Sequence, residues 1–125
     1  MTIFDHINLP TDRPQKMHSF YEAALAPLGI MKKFLIDRPE GGVAGFGRDR
    51  VDFFISAKPD GPHTPIHLAF RASSRDEVVA FYRQGLAAGG TDNGAPAIRP
   101  KYHDNYFAAF VLDPVGNNVE AVFQG

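Results

Sequence analysis

Residues Ile66–Gly90, IHLAFRASSRDEVVAFYRQGLAAGG, read as a strand, a turn and an amphipathic helix. Displaced by 61 positions, the same stretch lies over Asp5–Gly29, DHINLPTDRPQKMHSFYEAALAPLG. At this one offset, without a gap, His6 meets His67, Phe20 meets Phe81, Tyr21 meets Tyr82, Leu25 meets Leu86, Ala26 meets Ala87 and Gly29 meets Gly90. The six identities in 25 positions include helix-face aromatics and a terminal glycine. They point to two copies of one βα unit.

The remaining strands follow from alternation and turn chemistry. Ile3–Leu9 alternates as a strand, with Ile3, Asp5, Ile7 and Leu9 on one face and Phe4, His6 and Asn8 on the other. Thr11 or Asp12 is expected to cap the first helix, with Pro14 in its first turn. Met17, Phe20, Tyr21, Ala24, Leu25 and Leu28 fall at helical spacing, and Gly29 closes the helix. Ile30–Ile36, Val43–Gly47 and Val51–Ser56 are predicted strands, with a turn or loop at Asp37–Gly42. Lys58–Pro65, with three prolines and Gly61, is the expected linker between the halves, centred on residues 58–64.

In the second half, Ser74 and Glu77 form a capping box. Val78, Phe81, Tyr82 and Leu86 make the buried stripe, closed by Gly89 and Gly90. Gly85 inside that helix costs about 1 kcal/mol relative to alanine unless close packing requires it. Asn93–Pro100 is loop-rich and begins or flanks a strand. Tyr106–Leu112 and Asn118–Phe123 are strands joined by the turn Asp113–Gly116. Each half reads β-α-β-β-β, giving an α+β domain over residues 1–125 with modules at about 1–57 and 65–125.

Composition narrows the function. A chain of 125 residues with 44% apolar and 22% charged residues is one ordinary globular domain. A net charge of −1 gives no electrostatic footprint for nucleic acid or an anionic membrane. The chain lacks cysteine, so it offers no thiolate nucleophile and no sulfur ligand; this fits the cytoplasm. No apolar run is long enough to span a bilayer, and no signal peptide is recognisable.

His6, His67 and Glu120 are the residues on which chemistry is expected. Duplication brings equivalent strands together around a pseudo-twofold axis, so the two histidines can converge. Glu120 stands mid-strand between Val119 and Ala121, where a carboxylate needs a partner or an open cavity. A lone strand histidine is more commonly a core or surface residue than a ligand. Its repetition at the repeat offset favours a site. Two imidazoles and a carboxylate suit one divalent ion, Fe, Mn, Ni or Zn, and leave positions open for substrate.

The chain resembles the vicinal oxygen chelate superfamily, which includes glyoxalase I, extradiol dioxygenases, fosfomycin-resistance enzymes and bleomycin-resistance proteins. The resemblance rests on Asp5–His6, on Phe20–Tyr21 with LAPLG at 25–29, on Ile66–Phe70 and, most specifically, on DPVGNNVEAV at 113–122. It implies paired βαβββ modules forming a curved mixed-sheet cup. It also implies a metal held by His6, His67 and Glu120, and a substrate chelated through vicinal oxygens. Glyoxalase I enzymes add a second glutamate on the last strand of the first module. One alignment puts Asp52 at that place and a shift of two puts Phe54 there.

The segment RPKYHDNY at 99–106 is a second polar-aromatic patch. Arg99 and Tyr102 are candidate substrate-binding residues, with Arg99 suited to a carboxylate. His103, Tyr106 and Glu120 are candidate catalytic residues for proton transfer. Asp104 belongs to the same patch. His18 and His63 are expected at the surface.

The leading expectation is a metal-dependent lyase, isomerase or ring-opening dioxygenase of small molecules. The alternative is a drug- or metabolite-binding resistance protein without turnover. A homodimer is expected, in which His6 of one copy can join His67 and Glu120 of the other.

Overall fold

The structure is a computed structural model and describes residues 2–39, 42–58 and 64–125. The order of elements is β1 (Ile7–Thr11), α1 (Pro14–Leu25), β2 (Met31–Ile36), β3 (Val43–Gly47), β4 (Val51–Ala57), β5 (His67–Arg71), α2 (Arg75–Ala87), β6 (Thr91–Ile98), β7 (Tyr106–Leu112) and β8 (Asn118–Gln124). They form two four-stranded mixed sheets ordered β1-β4-β3-β2 and β5-β8-β7-β6. The second order is the first repeated, as the 61-residue offset requires. Each opening strand runs parallel to the last strand of its module, and the other pairings are antiparallel. The expected α+β class and its two βαβββ units are therefore present. Residues 59–63 of the expected linker, with His63, lie outside the described residues, as do residues 40–41 of the Asp37–Gly42 loop.

Several boundaries differ from expectation. The first strand starts at Ile7 rather than Ile3 and runs through Pro10 to Thr11. β1 is an edge strand, so Pro10 is tolerated. His6 consequently lies just before the strand. Neither Thr11 nor Asp12 caps α1; Arg13 holds the N-cap position without a side-chain bond, while Thr11 Oγ1 accepts from Arg13 N at 3.0 Å. A 3-10 turn at Ala26–Leu28 extends α1 before Gly29 closes it at φ 77°. Asn93–Pro100 is largely inside a strand, β6, whose ladder is broken by register shifts around Gly94 and before Ala97. The capping box is present in part: Ser74 Oγ accepts from Glu77 N, while Glu77 reaches back to Ser73 N.

A single core joins the two modules. Met17, Phe20, Tyr21, Ala24 and Leu25 of α1 are buried with Val78 and Phe81 of α2 and with Leu9, Phe53, Ile55, Val111 and Val119 from the sheets. The rings of Phe53 and Phe70, one from each module, lie 5.5 Å apart. Tyr21 crosses between modules and donates to Asp113 Oδ2 at 2.7 Å. The other face of each sheet is turned away from this core. His18, expected at the surface, is instead buried; its Nε2 lies 3.3 Å from the Ile55 carbonyl oxygen, and burial lowers its pKa.

The two glycines flanking the end of α2 differ in what they permit. A Cβ on Gly85 would sit 3.5–3.6 Å from Val111 and Phe20, in ordinary contact. On Gly90 it would meet Val111 Cγ1 at 2.5 Å, Phe20 Cε1 at 2.6 Å and the Gly85 carbonyl oxygen at 2.8 Å. Gly85→Ala is therefore expected to stabilise the fold by up to about 1 kcal/mol through helix propensity. Gly90→Ala is expected to destabilise it by about 2–3 kcal/mol through overpacking. Urea unfolding of both variants checks the opposite signs.

Candidate functional site

The outer face of the second sheet is fixed by register. The pairs His67↔Asn118, Ala69↔Glu120 and Arg71↔Val122 put these residues on one face of β5 and β8. Tyr106↔Gln124, Ala108↔Val122 and Phe110↔Glu120 extend that face onto β7. Val119 and Ala121 point the other way, into the core. Glu120 is thus held in the sheet by apolar neighbours while its carboxylate turns to the open face.

Glu120 is 2% exposed and both its oxygens are engaged. Oε1 lies 2.8 Å from His67 Nε2, and Oε2 accepts from the Tyr106 hydroxyl at 2.5 Å. Burial first, then the hydrogen bond to Glu120 and its charge, push the Tyr106 phenol far above its ordinary range, so it stays a donor. The rings of Tyr102 and His103 stand 4.8 and 5.6 Å from that of Tyr106. His103 Nε2 is hydrogen-bonded to Gln124 Oε1. The Arg99 guanidinium lies over Phe110, 5.2 Å from the ring centroid. The structure therefore gathers His67, Glu120, Tyr106, His103, Tyr102 and Arg99 on one sheet face.

Asn117 sets the start of β5 and hence His67. Its Oδ1 accepts from Ile66 N at 2.9 Å, while the Ile66 carbonyl accepts from Asn118 N at 2.9 Å. Asp113 in turn holds Asn117, through Asn117 Nδ2 at 2.8 Å and Asn117 N at 3.0 Å. The sequence marks this segment as a turn; its second task, tying β8 to the residue before His67, spans 51 positions and leaves no local periodicity.

His6 stands apart from that group. Its Nδ1 lies 2.7 Å from Asp5 Oδ1, and Arg50 Nη2 holds Asp5 Oδ2 at 3.0 Å. The bond with His6 and then Arg50 lower the pKa of Asp5. A carboxylate on Nδ1 leaves Nε2 available as a ligand. The sequence marks Asp5 only as the neighbour of His6, and carries no local signal for the part Arg50 plays, since it lies 45 positions from Asp5. The His6 ring packs edge-on against Phe54 at 5.6 Å, and Phe34 adjoins Phe54 at 6.0 Å. Register also decides between Asp52 and Phe54. Shifting the pair Ala69↔Glu120 back by 61 gives Asn8, whose partner is Phe54. Phe54 is therefore the first module's counterpart of Glu120, and Asp52 is the counterpart of Asn118.

His6 and His67 both border a cleft of about 690 Å³ between the β1 and β5 edges, whose lining excludes Glu120 and Tyr106. The three expected ligands do not meet within one chain. Among the described residues no group of three or more His, Asp or Glu is placed to hold a metal. The reason is the shared core: it packs the modules through their helices and inner faces, which leaves the two outer faces separate.

The sequence matches the family model of the Glyoxalase/Bleomycin resistance protein/Dioxygenase superfamily over residues 3–121. The chain belongs to this superfamily. A glyoxalase/bleomycin resistance protein from Albidiferax ferrireducens has the same fold, with a TM-score of 0.80 at 24% identity over 99% of this chain and 100% of that one. A glyoxalase/bleomycin resistance protein/dioxygenase family enzyme from Burkholderia phytofirmans gives 0.72 at 20% identity, over 97% and 98%. Lactoylglutathione lyase from Agrobacterium tumefaciens gives 0.68 at 18% identity, over 98% and 92%. Among curated proteins the superfamily chain has no match. No helix among the described residues is long and apolar enough to cross a membrane.

Proposed function

We propose that this superfamily member is a metal-dependent enzyme acting on a small molecule through two neighbouring oxygens, with each site built from two copies of the chain. The observation that carries the reading is the His67–Glu120 pair: a buried carboxylate and an imidazole, 2.8 Å apart, on an otherwise open face. The donor set fits a divalent ion, because an imidazole nitrogen and a carboxylate oxygen, His67 Nε2 and Glu120 Oε1, lie 2.8 Å apart on one face. His6, with Nδ1 occupied by Asp5, supplies the third ligand from the second copy.

When bound, the ion supplies Lewis acidity and a template for the two substrate oxygens. Tyr106 donates to Glu120 Oε2 and so directs Oε1 toward His67. Glu120 and His103 are the candidate proton-transfer groups of this reading; both His103 ring nitrogens are engaged, Nε2 with Gln124 Oε1 and Nδ1 accepting from Asn105 N, so His103 acts only once one of those bonds opens. Phe110 forms the floor beside them, and Phe34 and Phe54 line the face that carries His6. With Phe54 at the fourth place, the protein offers three ligands, unlike the four that resemblance to glyoxalase I implies. Exposed Ile3, Phe4, Met31, Leu35 and Ile36 favour a covering copy, and the open edges β1, β2, β5 and β6 add to that.

Mixing two inactive variants tests the shared site. His6→Ala and His67→Ala are each expected to lose the metal by elemental analysis. Unfolded and refolded together in equal amounts, they are expected to regain about a quarter of wild-type capacity, since half the dimers are mixed and each holds one intact site of two. No recovery would place the ligands in one chain. A wild type that stays empty with every metal offered would remove the enzymatic reading and leave ligand binding without turnover.

A further inference from the structure

Arg99 has an unusual position for a surface arginine. Its Nε is buried and has no hydrogen-bond partner, alone in this among the buried side-chain nitrogens and oxygens of the described residues. No carboxylate among those residues pairs with it. Its Nη2 is held by backbone oxygens, Ala95 at 2.5 Å and Ala108 at 3.4 Å, and its guanidinium lies on Phe110. Ala95 lies in the irregular part of β6, between the register shifts at Gly94 and Ala97.

This position is prepared by the backbone. Gly94 has φ 149°, and a Cβ there would meet Phe110 Cδ1 at 2.9 Å and Arg99 Nη2 at 3.2 Å. The glycine leaves room for the guanidinium beside Phe110. Phe110 is directly opposite Glu120 across β7 and β8. The cation is therefore about one to two strand spacings from the Glu120 carboxylate, roughly 5–10 Å, on the same face. The guanidinium is held by carbonyl oxygens and a ring, with no carboxylate partner among the described residues. A buried donor left without an acceptor is costly, and calls for a partner.

We propose that Arg99 anchors a carboxylate of the substrate, so that the site takes carboxylate-bearing molecules whose two chelating oxygens would reach the metal position held by Glu120 and His67. Phe110 is the apolar floor between the two ends. The proposal rests on the metal-site reading above for the position of the chelating oxygens, while the charge recognition by Arg99 stands on its own geometry.

Two probes that differ by one carboxylate test it: catechol and 3,4-dihydroxybenzoate. Both are titrated by calorimetry into metal-loaded and metal-free protein, wild type, Arg99→Gln and Arg99→Lys, with thermal melts confirming that each variant is folded. Wild type is expected to prefer 3,4-dihydroxybenzoate by about 10- to 100-fold, the range of charge-assisted hydrogen bonds. In Arg99→Gln the ratio is expected to fall to near one, and in Arg99→Lys to an intermediate value. Equal binding of the two probes to wild type, a preference that survives in Arg99→Gln, or no binding of either probe overturns the assignment. A preference lost in Arg99→Gln but independent of metal keeps Arg99 as the anchor and overturns the metal reading. Metal-dependent binding with no carboxylate preference does the reverse.

Discussion

Glu120→Gln is expected to weaken divalent-metal binding by at least about 100-fold while leaving the metal-free fold within about 1 kcal/mol of wild type. The first half follows from ligand chemistry. Loss of an outer-shell partner already costs about 10- to 100-fold, and replacing a ligand's charged oxygen with a neutral amide removes more. The second half follows from shape. Glutamine fills the same buried space, its oxygen can still accept from Tyr106, and its amide can donate to His67 Nε2. Chelator competition with a coloured dye measures the affinity, and urea unfolding of metal-free protein measures the stability. Wild-type affinity in the variant would remove Glu120 from the ligand set. Glu120→Leu provides a further contrast: it is expected to abolish binding and also to destabilise the metal-free fold, by about 1–3 kcal/mol, because the Tyr106 hydroxyl loses its acceptor.

Asp113→Ala is expected to destabilise the protein by about 3 kcal/mol or more. Asp113 is 4% exposed and accepts four hydrogen bonds, from the Tyr21 hydroxyl, Asn117 Nδ2, Val115 N and Asn117 N. Alanine leaves those donors without their acceptor, and each buried orphan costs about 1–3 kcal/mol before relaxation. Tyr21→Phe removes a single donor and is expected to cost less, about 1–2 kcal/mol. Urea unfolding ranks the two. Equal losses would mean that the bond between modules, rather than the turn, carries the effect. A loss below about 1 kcal/mol for Asp113→Ala would mean that water satisfies the turn.

The module plan was legible because it rests on local signals repeated at one offset. Phe20 and Phe81, Tyr21 and Tyr82, and Gly29 and Gly90 mark the same helix and its end in both halves. The start of β1 was less legible because Pro10 reads as a strand end, yet an edge strand accommodates it. β6 was hidden because Gly94 and Pro96 read as loop, although both lie within the strand, Pro96 in the register break between Gly94 and Ala97. His18 lies on a helix face that the apolar stripe does not identify, and the Ile55 carbonyl takes it inward. In the candidate site, Glu120 and its nearness to His67 and Tyr106 follow from strand register. The separation of His6 does not, because it depends on how Phe20, Phe53 and Phe70 pack the modules together. The charge-bearing setting of Arg99 depends on a bulge 5 residues before it and was visible only as a residue type.

The common interior has a consequence for how such a chain can change. Each helix is seated partly in the other half, with Phe20 against Gly90 and Tyr21 on Asp113. Neither duplicate can alter its interior without disturbing its twin. Their outer faces carry no such obligation. One carries an acid at the place where the other has an aromatic ring, Glu120 against Phe54. The scaffold is thus shared by the pair while the two surfaces differ, and the proposed site would draw on two unlike halves.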